Sequence, residues 1–414
     1  MSVEHCVSGA PAQSVRQASG RREGVVLMLA SSLTIMGSVM VAPILPKLAA
    51  EFGPLEPRAD LLVPLAVTGP ALAIALVAPL AGWLADRVGR KALLVVATLL
   101  YALFGVIPAL LDNLGAIVGV RLLFGCAEAA IMTCCAALIA DYWHGEERMR
   151  YVNLQVVTIG LVGALFFVLG GVLGEHSWRT PFYLYLLPLL LVPAMIKVLW
   201  EPVLDQARAV SVTVDEQVSI PTLVVGYLLI LGGMILNFIV PVQAPLLLVG
   251  LGITSSTLIG MSAGLGLLAS LGGSLTWLLL RRRVGIGGCN VLLLTLLALG
   301  LWLLMRAQSY NEVLLAVSIH GLGAGLLVPN AMAPVMNALS ADTRGRGLGV
   351  FTACLYIGQF VSPLVVAMLG AFTRDLRVSI QWLAIASLIA ASLWLVASLV
   401  QRKRVAGQPL SRVC

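Results

Sequence analysis

The sequence predicts an all-α membrane protein of twelve transmembrane helices, arranged as two six-helix halves related by pseudo-two-fold symmetry. Three observations carry that reading. The 414 residues are 60% hydrophobic and only 11% charged, which is more apolar surface than a soluble core can hide. The apolar residues fall in runs long enough for a helix to cross hydrocarbon, and stretches such as 91–111 and 378–400 lack the period-two alternation of a barrel strand. The one long polar interruption, 201–220 (EPVLDQARAVSVTVDEQVSI), divides the runs six and six.

Residues 1–23 are polar, carry Arg16, Arg21 and Arg22, and read as a cytoplasmic tail. The next run, 24–46, is long enough to span and has no signal-peptide cleavage pattern, so it is expected to stay in the mature protein. It opens an N-terminal half, 24–200, whose further spans are 61–81, 91–111, 114–140, 152–174 and 178–200. After the 201–220 linker, a C-terminal half over 221–400 holds spans 221–248, 254–280, 285–305, 311–338, 347–371 and 378–400, and 401–414 is a basic cytoplasmic tail.

An even number of spans puts both termini on one side. Of the 26 lysines and arginines, 19 fall on that side when span-end Lys197 is included. Six (Lys47, Arg58, Arg179, Arg306, Arg374, Arg377) fall opposite, and Arg121 is inside a span. The positive-inside rule makes the richer side cytoplasmic, so the chain reads as a multi-pass inner-membrane protein with both termini in the cytoplasm. A shift of 196 residues lays Asp86-Arg87-Val88-Gly89 on Arg282-Arg283-Val284-Gly285 and Arg148-Met149-Arg150 on Arg344-Gly345-Arg346, as a duplicated six-helix unit requires.

The net charge of +7 comes from short basic clusters between apolar runs, which fits a membrane surface rather than a nucleic acid. Seven cysteines give an odd count, and Cys126, Cys134, Cys135 and Cys354 sit inside apolar runs without metal or redox spacing. No metal, cofactor or nucleotide-binding loop is implied, and no cytoplasmic segment is long enough to fold as an ATPase.

The segment 82–91, GWLADRVGRK, lies between spans two and three. Gly82 and Gly89 allow close contact and a tight turn, while Asp86 sets a carboxylate beside Arg87, Arg90 and Lys91. An anion there can face a helix N-terminus of the other half. The alternative is an ordinary topology-setting basic loop, which needs neither the aspartate nor both glycines. In spacing and location the segment resembles the loop signature of the major facilitator superfamily. The likeness extends to chain length, span number, central linker, the proline-containing first span (APILPKLAAEFG, 42–53) and the loop EERMRYVN (146–153). The resemblance implies a secondary transporter in which Asp86 latches the halves against the start of span eleven, near Arg346 and Gly347. The second-half copy, LRRRVG, lacks the aspartate.

Arg121 and Glu128 lie seven residues apart in span four, almost two turns, and so share a face. Arg121 matches the arginine of a second family motif, arginine-x-x-x-glycine, completed by Gly125. Charges at membrane depth are costly and usually functional. Glu128, the one acidic residue deep inside a span, is the candidate proton carrier, and a structural ion pair is the alternative. Asn237, Gln243, His320, Asn330, Tyr356 and Gln359 are the candidate substrate-cavity residues. Each alone also fits interhelical hydrogen bonding, but together they lie where transporter sites gather. Pro43, Pro46, Pro241 and Pro245 are expected to interrupt spans one and seven, by bending or by ending them. In span five, GALFFVLGGVLG (163–174) has Phe166-Phe167 where drug–proton antiporters of the family carry glycine-proline.

The reading is a monomeric exporter of a small organic molecule, such as a drug-like compound, siderophore or other metabolite. It works by proton antiport and alternating access, with protons, cargo and the bilayer as its partners. A proton-coupled uptake permease of the same fold is the alternative. A membrane-embedded enzyme or a non-transporting sensor is the rival from another class, and the short loops with few histidines speak against the enzyme.

Overall fold

The computed structural model describes residues 20–202, 219–340 and 343–406. The tails expected over 1–23 and 401–414 and the linker over 201–220 lie largely outside the described residues. Among those described there is no strand.

The first span is α1 (Arg21–Val39), a 3-10 turn at Ala42–Ile44 and α2 (Leu45–Phe52). Pro43 and Pro46 stand second in the turn and in α2, within the first turn of each, where their missing N–H groups cost least. There follow α3 (Ala59–Val88), α4 (Arg90–Val106), α5 (Leu114–Tyr142) and α6 (Gly145–Gly174). The sixth span is a 3-10 stretch, Thr180–Leu191, ending in α7 (Val192–Val198). The second half comprises α8 (Ile220–Gly250), α9 (Ser256–Arg306), α10 (Tyr310–Asn337), α11 (Arg344–Thr373) and α12 (Leu376–Ala406).

Eleven helical stretches are long and apolar enough to cross a membrane among the described residues. The longest, α9, has 51 residues and joins two helices at Gly285 (φ 74°, ψ 177°). It therefore holds the expected eighth and ninth spans. One of the two expected outcomes is excluded: Pro241 and Pro245 do not end the seventh span, because α8 runs through both. A continuous helix tolerates proline where neighbouring helices and local adjustment satisfy the freed carbonyls.

The 196-residue repeat recurs in the backbone. Gly89 (φ 102°), which separates α3 from α4, maps onto Gly285, and both take a left-handed φ that only glycine adopts freely. The cap Asn113, which accepts from the Ala116 amide, maps onto Ser309, which accepts from the Glu312 amide. Each half has its own apolar core, one built around Leu27, Met36, Tyr101, Phe124 and Tyr185, the other around Ile230, Leu293, Leu327, Phe351 and Ile380. The halves meet along α3 against α11 and α6 against α9. Outward-facing leucines, isoleucines and valines such as Leu76, Leu190, Leu228, Leu279, Ile389 and Leu393 stay exposed. That apolar belt requires lipid as its solvent.

Candidate functional site

A cavity of about 150 Å³ lies between the halves, walled by α1, α6, α8, α9 and the middle of α10. Its α10 wall, Val317 to Ala324, begins seven residues after Tyr310. At 1.5 Å per residue this places the cavity roughly 10–20 Å inside the bundle, near the middle of a bilayer core of about 30 Å.

Behind the α1 wall lies the charged pair. Arg121 has no exposed surface. It donates from Nε to the Ala66 carbonyl at 2.9 Å, from Nη2 to the Gly37 carbonyl and from Nη1 to the Tyr185 hydroxyl at 3.4 Å, with its guanidinium 4.5 Å above the Phe124 ring. Tyr101, Phe124 and Tyr185 close around it with ring centroids 4.3–5.8 Å apart. Glu128 is 3% exposed, and its Oε2 has no partner. A side chain on Gly37 would meet that oxygen at 2.7 Å. Both charged groups therefore face α1 at Gly37, as their spacing predicts, yet no ion pair joins them. A charged residue at the bilayer centre costs about 3 kcal/mol. For Arg121 backbone carbonyls and a hydroxyl offset that cost, whereas Glu128 keeps a carboxyl oxygen open to a proton.

Of the six expected cavity residues, Asn237 and His320 line this cavity. His320 is 3% exposed, its ring is hydrogen-bonded to the Leu236 backbone, and its Nε2 has no partner. Gln359 stands one step back, donating at 3.3 Å to the lining Ser38 hydroxyl. Tyr356 instead meets the Met132 sulfur at 3.1 Å. Asn330 belongs to a separate polar knot with Trp277 and Asn290, at 3.0 and 2.7 Å, and Gln243 is buried elsewhere in α8.

At the near end of the bundle, the 82–91 loop forms a charged cluster. Arg90 bonds Asp86 at 3.3 Å and pairs with Asp141 of α5. Glu201 accepts from the amides of Arg90 and Lys91, the first turn of α4. Lys91 Nζ donates to the Ile196 carbonyl at 2.8 Å, and Arg87 lies 4.2 Å above the Trp83 ring. The Asp86 side chain is 63% exposed. Gly82 faces Thr133 of α5, and a carboxylate at Gly89 leaves no room for a side chain there. Among the described residues no bond joins Asp86 to the start of α11.

At the far end the halves are bonded directly. Glu175, just past α6, accepts at 2.9 Å from both the amide and hydroxyl of Thr257 and at 3.1 Å from the Ser255 hydroxyl, at the N-terminus of α9. The Thr257 amide foremost, with both hydroxyls and the charge of Lys47, holds the Glu175 carboxyl below its usual value against the smaller effect of burial. Lys47 also donates to the Gly174 and Glu175 carbonyls. Below this contact Gly171 abuts the Ser256 carbonyl and Gly260 the Phe167 carbonyl, so closely that neither position admits a side chain. Glu175, Asp141, Glu201 and Tyr185 are missing from the expected residues. The Ser-x-Thr start of α9 is a helix-cap signal, but no local pattern says which carboxylate meets it.

A duplicated bundle of membrane-length helices, closed on one side over a central cavity that both halves line, defines a membrane transporter of the secondary type. The chain belongs to the Major Facilitator Superfamily, whose family model matches residues 27–301. Its relatives include the 3-(3-hydroxy-phenyl)propionate transporter of Escherichia coli, 28% identical over 300 residues that cover 69% of this chain and 72% of that one. The quinolone resistance protein NorA of Staphylococcus aureus is 26% identical over 151 residues, 36% of this chain and 38% of the relative. Among solved structures, a bacterial homologue of the human lysosomal transporter Spinster, inward-facing and occupied, superposes with a TM-score of 0.74 at 15% identity over 91% of this chain and 96% of that one. A D-xylose-proton symporter does so at 0.71 and 16% over 90% and 96%. These likenesses establish the fold.

Proposed function

We propose that the protein is a proton-coupled exporter of a small organic molecule, acting as a monomer in the cytoplasmic membrane by alternating access, with Glu128 as the proton carrier. The observation that carries this reading is the unpartnered Glu128 Oε2 at membrane depth, one residue of α1 away from the cavity wall. Export rather than uptake is favoured by the kinship to a quinolone resistance protein and to fungal efflux pumps. Uptake by the same machinery is the second reading, and the kinship to a phenylpropionate transporter favours it. In this reading the near end is cytoplasmic, Asp86 latches that side in the opposite state, and Arg121 helps to expel the proton from Glu128.

The energetics close. A proton-motive force of about 150 mV supplies roughly 3.5 kcal/mol per proton. That supports a gradient of about 300-fold for a neutral cargo. Glu128→Gln holds the side chain in a neutral form of nearly the same shape. It should abolish uphill export in everted vesicles while sparing exchange of cargo down its own gradient. Normal pumping that still collapses with an uncoupler would move the proton to another group and return Glu128 to a structural role. Orientation is read separately: a cysteine placed in the 201–220 linker should resist an impermeant reagent in intact cells, and rapid labelling there overturns the topology.

A further inference from the structure

The chemistry of the cavity wall narrows the cargo. Among the described residues no lysine, arginine, aspartate or glutamate lines it. The cation nearest in sequence logic, Arg121, is consumed by the Ala66 and Gly37 carbonyls and the Tyr185 hydroxyl. A carboxylate or ammonium entering this space would lose its hydration without gaining a counter-charge, which costs several kcal/mol. The remaining wall is apolar, with Ile35, Phe167, Phe238, Leu267 and Val317 prominent.

Two polar groups break that surface with unused capacity. His320 is wedged against Gly300, where a side chain would collide with its backbone and Cβ, and its ring is hydrogen-bonded to the Leu236 backbone. A neutral ring that donates one N–H to a carbonyl presents its other nitrogen as an acceptor. Here that nitrogen is Nε2, buried and without a protein partner. Asn237, the residue after Leu236, also lines the cavity, and the one hydrogen bond its amide makes among the described residues is to the Met234 sulfur at 3.9 Å. The volume, about 150 Å³, is that of a space which holds one benzene-sized molecule.

We propose that the cavity takes an uncharged, largely apolar molecule on the scale of one ring, bearing a hydroxyl that donates to His320 Nε2 while the Asn237 amide meets the same polar end. This rests on the cavity being the cargo site of the transporter. It departs from the anionic cargo named for the phenylpropionate relative, because no cation faces the cavity to receive a carboxylate.

The test is a binding measurement on the purified full chain in lipid nanodiscs, with empty nanodiscs subtracted, using phenol, anisole and benzoate. Phenol should bind about tenfold more tightly than anisole, the worth of one buried hydrogen bond, and benzoate should not bind at all. His320→Phe, which keeps a ring against Gly300, should bring phenol and anisole level, and Asn237→Leu should weaken phenol while leaving anisole unchanged. Equal binding of phenol and anisole by the native chain overturns the hydrogen bond, and this arm needs no variant to fold. Tighter binding of benzoate than of phenol overturns the uncharged class. Binding is read without any gradient, so a failure of proton coupling at Glu128 leaves all three affinities unmoved. A preference for benzoate, in turn, leaves the transporter reading intact.

Discussion

At the far end of the bundle, a carboxylate from the first half is held by three donors of the second, and two glycine contacts bring α6 and α9 together beneath it. At the near end, Asp86, Arg90, Asp141 and Glu201 bind one another and α4, all within the first half and the first residue of the linker. The difference shows how a two-state transporter stores its states. Bonds made inside one half survive when the halves part, so separation at the near end breaks none of them. Parting the far end breaks charge-assisted bonds and exposes backbone that fits only another backbone. The hydrogen bonds therefore tie the halves together at the far end and not through the near-end cluster.

The strongest way to break this comparison is Gly171→Leu. Overpacking against a backbone carbonyl costs about 1–3 kcal/mol or more, so the far side should open about five- to a hundredfold more often. A single cysteine at Val240, in an otherwise cysteine-free chain, reports this as faster labelling from the far side. A folded variant labelled at the native rate would show that the seam is no barrier. Next is Asp86→Asn, which should lower transport about tenfold without altering insertion or far-side labelling, because on the proposed latch the carboxylate acts only when the near side closes. A native transport rate would remove Asp86 from the cycle.

Smaller effects sharpen the picture. Glu175→Gln keeps an acceptor but loses the charge, roughly 1 kcal/mol, and should raise Val240 labelling about fivefold. No rise would leave the glycine seam as the whole closure. The smallest expected effect is that of pH. The Glu175 carboxyl is held below its usual 4.5 in the closed arrangement. The contact is therefore complete above the ordinary carboxylate range and is lost only as pH falls through the depressed value. Labelling should be flat from neutral pH down through the ordinary carboxylate range and climb only below it, and a transition near neutrality would assign the closure to another group.

Much of the fold was legible because lipid simplifies the rules. Apolar length gave the spans, and the 196-residue shift anticipated that Gly89 and Gly285 share a backbone conformation. The Arg121–Glu128 spacing rightly put both groups on one helix face. Sequence could not say that the opposing surface is a bare glycine of α1 whose carbonyl takes the guanidinium, because helix rotation is fixed by tertiary contact. For the same reason six polar residues at similar depth sorted into a cavity, a second layer and the separate Asn290–Asn330 knot. In span seven the prolines left bending and ending both open, and the continuous α8 excludes the second.

Gly37 and Ser38 are consecutive. On one side of this peptide unit lie the Arg121 guanidinium, the Tyr185 hydroxyl and the open oxygen of Glu128. On the other, Ser38 forms part of the cavity wall and is tied to α11 through Gln359. A small turn of α1 at this point is felt at once by the ionisable pocket, by whatever fills the cavity and by the opposite half. Under the antiport proposed above, exchange stoichiometry is then enforced like an escapement, one tooth meshing with both wheels, with no relay of intervening side chains. A single added methyl at Gly37 would disengage the tooth while leaving both wheels in place.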